Sequence, residues 1–176
     1  MSAFAQALRG WHDFYVLAGS AAATLIGLMF VVLSVGVNIK TKDRGTEDVE
    51  TYAAPTVVYF VDVLVMSAVS LAPLESPRVM AGSLVLLISC NVLPGTRRLA
   101  RIVRHHRENP IAARHWLWQL VLPVAVQVLV LVAAGELALG EPGALYAVAI
   151  ALMGFMLVGV RNAWVLVVWL LQHRGQ

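Results

Sequence analysis

The chain has 176 residues, 60% of them hydrophobic and 13% charged, against about 45–50% and about 25% in ordinary soluble domains. Such a composition excludes a typical water-soluble domain, and the net charge of +3 informs through where the basic residues fall rather than through its size. The lone cysteine, Cys90, lies in an apolar run and has no intrachain partner for a disulfide.

The first apolar run covers residues 14–37. It is 24 residues long, beyond the about 7–15 of a signal-peptide core, and is expected to be a retained membrane anchor. Before it, Phe4, Ala7, Leu8 and Trp11 share one face at helical spacing, which fits a short interfacial helix or an extension of the first span. Trp11, Phe14 and Tyr15 suit an outer membrane interface. Within the run, Gly19, Ala23 and Gly27 recur every four residues, flanked by Ser20 and Thr24. Small residues in such a stripe let helix backbones approach closely, so this face is expected to pack on another span or on a second copy.

The acidic group Asp43, Glu47, Asp48 and Glu50 lacks calcium-loop spacing; Thr46 as a helix cap with acids in the first turn accounts for it. The second run, 51–74, carries Asp62 near its middle, on one helical face with Pro55, Tyr59, Met66 and Val69. A charge at that depth costs about 3 kcal/mol on insertion scales, so the carboxyl must be neutralised, paired or wetted. A tight turn, Glu75-Ser76-Pro77-Arg78, leads into a third run, 79–95, whose 17 residues are the lower limit for a span.

Residues 96–115 form a basic loop. Leu99, Ile102 and Val103 can face one way while Arg97, Arg101 and Arg104 face another, a pattern that favours a helix lying against anionic lipid, with Arg97, Arg98, Arg101, Arg104 and Arg107 expected to contact headgroups; nucleic acid is not expected. Asn109-Pro110 reads as a helix start ahead of the fourth run, 116–139, in which Trp116 and Trp118 suit the inner interface, Pro123 bends the helix and Glu136 nears the outer end. In the fifth run, 144–171, Gly143, Ala147 and Ala151 make a weaker small-residue stripe. Arg161 either pairs with Asp62, if that helix runs unbroken, or snorkels to the inner surface. Asn91, Gln127 and Asn162 are expected to serve as interhelical hydrogen-bond partners.

The expected fold is an all-α, single-domain, polytopic transmembrane bundle of five spans, N-terminus out and C-terminus in. That orientation puts eleven of thirteen Lys and Arg on the inner side, leaving only Arg9 and Arg78 outside. His12, His105, His106, His115 and His173 all fall outside the apolar runs, so no haem or metal ligand set forms within the bundle. Gly19-Ser20 has no histidine at its depth, and no catalytic residue, metal or cofactor is expected.

The strings Phe14-Tyr15 and Gly19-Ser20-Ala21-Ala22-Ala23-Thr24-Leu25-Ile26-Gly27-Leu28, then Pro55-Thr56-Val57-Val58-Tyr59-Phe60 and Arg161-Asn162-Ala163-Trp164, resemble a family of small uncharacterised bacterial multi-span inner-membrane proteins. The likeness runs over nearly the whole chain. It implies a bacterial inner-membrane location, brings no activity with it, and draws attention to Arg161 and Trp164. Tyr59 stands where relatives often have histidine, and Val165 where they often have an acid. The functional expectation is a self-associating, channel or transporter-like protein for an ion or small solute, with Asp62, Arg161 and Tyr59 as its polar path or intramembrane pair. The alternative is a non-transporting adaptor or regulator of another membrane protein.

Overall fold

The computed structural model describes residues 3–37, 45–74, 76–106, 118, 121–141 and 143–172, with side chains over 4–34, 55–74, 76–91, 118, 121–141 and 143–168. The described chain is all helical: α1 (Ala3–Gly10), α2 (His12–Val37), α3 (Gly45–Leu71), α4 (Pro77–His106), α5 (Leu122–Leu139) and α6 (Ala144–Gln172). Among the described residues, α2, α5 and α6 are long and apolar enough to cross a membrane, while α3 and α4 carry shorter apolar stretches, Pro55–Leu71 and Pro77–Asn91.

The N-terminal segment is a separate helix. A turn at Trp11 divides α1 from α2, and Leu8 is buried while Phe4, Ala7 and Trp11 pack against the same core. α3 begins at Gly45, one residue ahead of the Thr46 expected as its cap. It ends at Leu71, where Pro73 follows and the Leu74 N–H turns back to the Ala72 carbonyl at 2.7 Å. α4 then starts on Pro77, whose missing N–H is no loss in a first turn, and the Val79 N–H donates to the Ser76 carbonyl.

In α4 the third apolar run and the helix expected in the basic segment are one element: the helix does not end at residue 95 but continues to His106, 30 residues in all. At 1.5 Å per residue that is about 45 Å, longer than the hydrocarbon layer. The physical reason lies in the sequence: Leu99, Ile102 and Val103 alternate with arginines at helical period, so after Pro94-Gly95 nothing prevents propagation. α5 corrects a second expectation. Trp118 and Val121 have wider, π-type turns, and the regular helix begins at Leu122, so Pro123 occupies its first turn and starts the helix rather than bending it. α5 closes on Gly140, whose φ of +88° lets the N–H groups of residues 140 and 141 return to Leu137 and Glu136. Asn109, Pro110 and Trp116 lie outside the described residues.

α3 packs mainly on α2 and α6, α6 on α5, and α5 on α4; α3 and α4 meet only sparsely. Four helices thus close a ring in the order α3, α6, α5, α4, with α2 laid outside against α3. Half of the apolar stretch of α6 is buried, against 22% of that of α2, so α6 is the central helix and α2 the peripheral one. The core runs through Met66, Met80, Leu84, Val130, Leu137, Leu145, Leu152 and Phe155. For helices apolar enough to cross a membrane, a lipid exterior would be as apolar as that core, and adhesion would then rest on close fit rather than on burial from water. Three contacts supply it: Gly19 on Ser67, Gly154 on Val126, and Gly159 on the Phe60 ring.

Hydroxyls inside the helices bond to the carbonyl one turn back, as Thr24 does to Ser20, Ser70 to Met66 and Ser89 to Val85, at 2.7–2.9 Å. This removes their polarity from an apolar surround.

Candidate functional site

Asp62 is 2% exposed, on the face of α3 that carries Tyr59 and Met66 into the core. Its Oδ1 accepts a hydrogen bond of 2.8 Å from Asn91 Nδ2 on α4. The same Nδ2 donates, at 3.3 Å, to the Leu87 carbonyl one turn earlier. A carbonyl can only accept, so this second bond fixes which end of the Asn91 amide faces Asp62. Asp62 Oδ2 is buried and makes no hydrogen bond among the described residues. The pair bridges the sparse α3/α4 edge of the ring, and Asn91 itself is only half-buried there.

Arg161 goes elsewhere. Its guanidinium carbon lies 4.8 Å over the ring centre of Trp118, ahead of α5, a cation–π geometry. No ion pair among the described residues joins it to Asp62, although α6 does run unbroken past it. Trp164 is outward and exposed. Tyr59 is buried and stacks on Phe155 of α6, centroids 5.9 Å apart. The structure therefore brings Asp62 together with Asn91, and Arg161 with Trp118.

The small-residue stripe of α2 divides. A Cβ on Gly19 would meet Ser67 Cβ at 3.1 Å, so Gly19 does mediate a close approach to α3. Ala23 is exposed and Gly27 has nothing within 4 Å, so neither packs within the chain. The buried face of α2 is instead Tyr15, Ala18, Gly19, Ala22 and Met29. The face turned away carries Ser20, Ala23, Thr24 and Gly27. In α6, Gly143 is open and Ala151 buried, while the close approaches fall at Gly154 and Gly159, which no four-residue repeat marks.

Arg97, Arg98, Arg101 and Arg104 sit on the helical extension of α4 with side chains outside the described set, and Arg107 lies outside the described residues altogether. Among the residues described, no three His, Cys, Asp or Glu side chains gather to hold a metal.

One further feature was not foreseen from the sequence. Trp11, Phe14 and Tyr15 form an edge-to-face cluster that reaches Tyr146 at the start of α6, with Trp11 and Tyr146 centroids 4.7 Å apart at 88°. Trp11, Phe14 and Tyr146, with Ala7, Gly10 and Gly143, border a shallow groove at that end of the bundle. Its signal in the sequence was the aromatic crowding at residues 11–15, but the fourth ring comes from 130 residues away. No protein family, curated protein or solved structure matches the chain.

Proposed function

We propose that the chain is a five-span protein of the bacterial inner membrane, N-terminus outside and C-terminus inside. It self-associates and provides a path for an ion or small solute in which Asp62 is the polar residue. The observation that carries this reading is the burial of Asp62 beside a single neutral amide at the least tightly packed edge of the helix ring. A structural carboxylate that only locks helices is usually matched by a cation or several donors; among the described residues this one has neither. The topology is supported by the eleven-to-two division of basic residues and by the 27- and 30-residue lengths of α3 and α4, each long enough to span although their apolar parts are short. The arginines of the α4 extension then meet anionic headgroups on the inner surface.

The test is reconstitution of the full chain in vesicles. Flux of ions or small solutes under imposed gradients is expected, reduced in Asp62→Asn; no flux under any gradient sinks the transport reading. A second reading, an adaptor or regulator of another membrane protein, is favoured by one observation, the outward Ser20, Ala23, Thr24 and Gly27 face of α2. A stoichiometric foreign partner retained in detergent, released by Gly27→Leu, would select it.

A further inference from the structure

We infer that the ligand of the Asp62–Asn91 site is a proton, taken up and released at Asp62 Oδ2, rather than a metal cation. The inference rests on the reading of Asp62 as the polar residue of the path and names what that residue binds.

Three features of the site decide between the two kinds of cation. The first is the count of oxygens. A dehydrated metal cation needs about six oxygen ligands, and the site offers one carboxyl group. The second is the direction of the amide. Because Asn91 Nδ2 is held by both Asp62 Oδ1 and the Leu87 carbonyl, it presents N–H to the carboxyl, and an N–H beside Oδ1 repels a cation there. The third is that Oδ2 is buried without a hydrogen-bond partner among the described residues, in a helix whose Tyr59, Val63 and Met66 belong to the apolar core. A proton needs no further ligands. It forms an O–H bond at Oδ2 on transfer from hydronium and leaves by the reverse transfer to water, with no change of oxidation state. Oδ1 stays an acceptor throughout, so the Asn91 bond persists in both forms.

The charges around the site agree. From α6, Arg161 is engaged over Trp118, and Tyr146 is exposed near the helix start. From α4, Arg78 is exposed in the first turn and Cys90 faces outward. From α2 comes Tyr15, buried toward the far end of α3, and from α5 the exposed Glu136 near its last turn. No described cation is therefore placed to hold Asp62 ionised, and a lone charge in an apolar interior is disfavoured. Asn91, half-buried on the sparse α3/α4 edge, marks the side from which water can exchange the proton.

The test uses the full chain in lipid vesicles and infrared spectroscopy of its carboxyl groups. The expected result is a protonated-carboxyl C=O band that titrates with pH, is absent in Asp62→Asn, and is unchanged when NaCl or KCl replaces choline chloride at constant pH. Asn91→Leu keeps the carboxyl but removes the donor to Oδ1, so it is expected to shift the band without abolishing it, which covers the case in which Asp62→Asn fails to fold. Absence of any band lost with Asp62, or displacement of that band by sodium or potassium, overturns the inference. Flux is read separately with a pH-sensitive dye under a valinomycin potential, where Asp62→Asn is expected to slow proton entry on the order of tenfold. A flux of sodium or potassium that ignores pH overturns the proton assignment and leaves the transport reading intact. A titrating Asp62 band without any flux supports the proton site and removes the transport reading.

Discussion

At the scale of single residues, three glycines separate cleanly by what a methyl group would meet. On Gly159 a Cβ would lie 2.5 Å from Phe60 Cε1 and 2.9 Å from Cζ. Phe60 has no exposed surface and is wedged among Met29 and Leu166, so the ring has nowhere to go. Gly159→Ala is expected to destabilise by about 1–3 kcal/mol, the range for overpacking a tight interior. On Gly154 a Cβ would lie 2.7 Å from Val126 Cγ2 and 3.4 Å from Cγ1, and a helical valine is held in one preferred rotamer, so a loss is expected there too, smaller because fewer atoms lie under 3.0 Å. Gly135, about one turn before the end of α5, has nothing within 4 Å, and Gly135→Ala is expected to be neutral or to stabilise by up to about 1 kcal/mol through helix propensity. Thermal unfolding of the three purified variants in one detergent checks the order; Gly159→Ala melting at or above Gly135→Ala would refute the α3/α6 contact. Asn91 makes a comparable case for polar groups. Asn91→Ala leaves Asp62 Oδ1 buried without its donor and is expected to cost about 1–3 kcal/mol in the same assay.

At the scale of elements, α4 is the informative one. A helix continuous from Pro77 to His106 places residues 96–106 in regular backbone, whereas a basic loop would not. Spin labels introduced singly at 96–106 are expected to show oxygen accessibility that repeats every 3.6 residues, and Leu99→Pro is expected to abolish the repeat beyond that point. A flat profile in the unaltered chain would mean that the helix ends near Pro94. Most helix positions were legible in the sequence because an apolar run of about 20 residues has few alternatives, which is why α2 and α6 fall within two residues of expectation. The start of α5 was not, nor was the continuity of the third run with the basic helix that follows it, since hydropathy reports the solvent of a segment and not its backbone. The partner of Asp62 was within reach. Asp62 lies 13 residues before Glu75 and Asn91 lies 16 after it, so a hairpin turning there sets the two within a turn of equal depth. Charge complementarity drew attention to Arg161 instead, but the equal depth that suggested it was reckoned from a second run beginning at residue 51; α3 begins at Gly45, and Arg161 lies over Trp118.

For the whole molecule, the unequal use of α2 carries the last prediction. The helix spends its Tyr15, Ala18, Gly19 and Ala22 face on α3 and turns Ser20, Ala23, Thr24 and Gly27 outward. The Thr24 hydroxyl is already bonded to the Ser20 carbonyl, so between Ser20 and Gly27 this face is low and weakly polar, with the exposed Val16 and Val31 at its two ends. A peripheral helix in lipid gains nothing from small residues unless another backbone comes close, because lipid tails fill a lipid-facing surface whatever its side chains. If the copies meet through this face, Gly27→Leu obstructs the contact between them while leaving the packing inside the protomer alone, since no atom of another described helix lies within 4 Å of a Cβ there. The expected outcome is a lower oligomer fraction, by light scattering or by single-molecule photobleaching in vesicles, with an unfolding temperature of the protomer close to that of the unaltered chain. Gly19→Leu is the contrasting variant, because its Cβ already meets Ser67 at 3.1 Å and the rest of the side chain would part α2 from α3. It is expected to lower both quantities. An oligomer fraction unmoved by Gly27→Leu would show that assembly, if it occurs, uses a different surface, and the small residues of α2 would then have no role beyond Gly19.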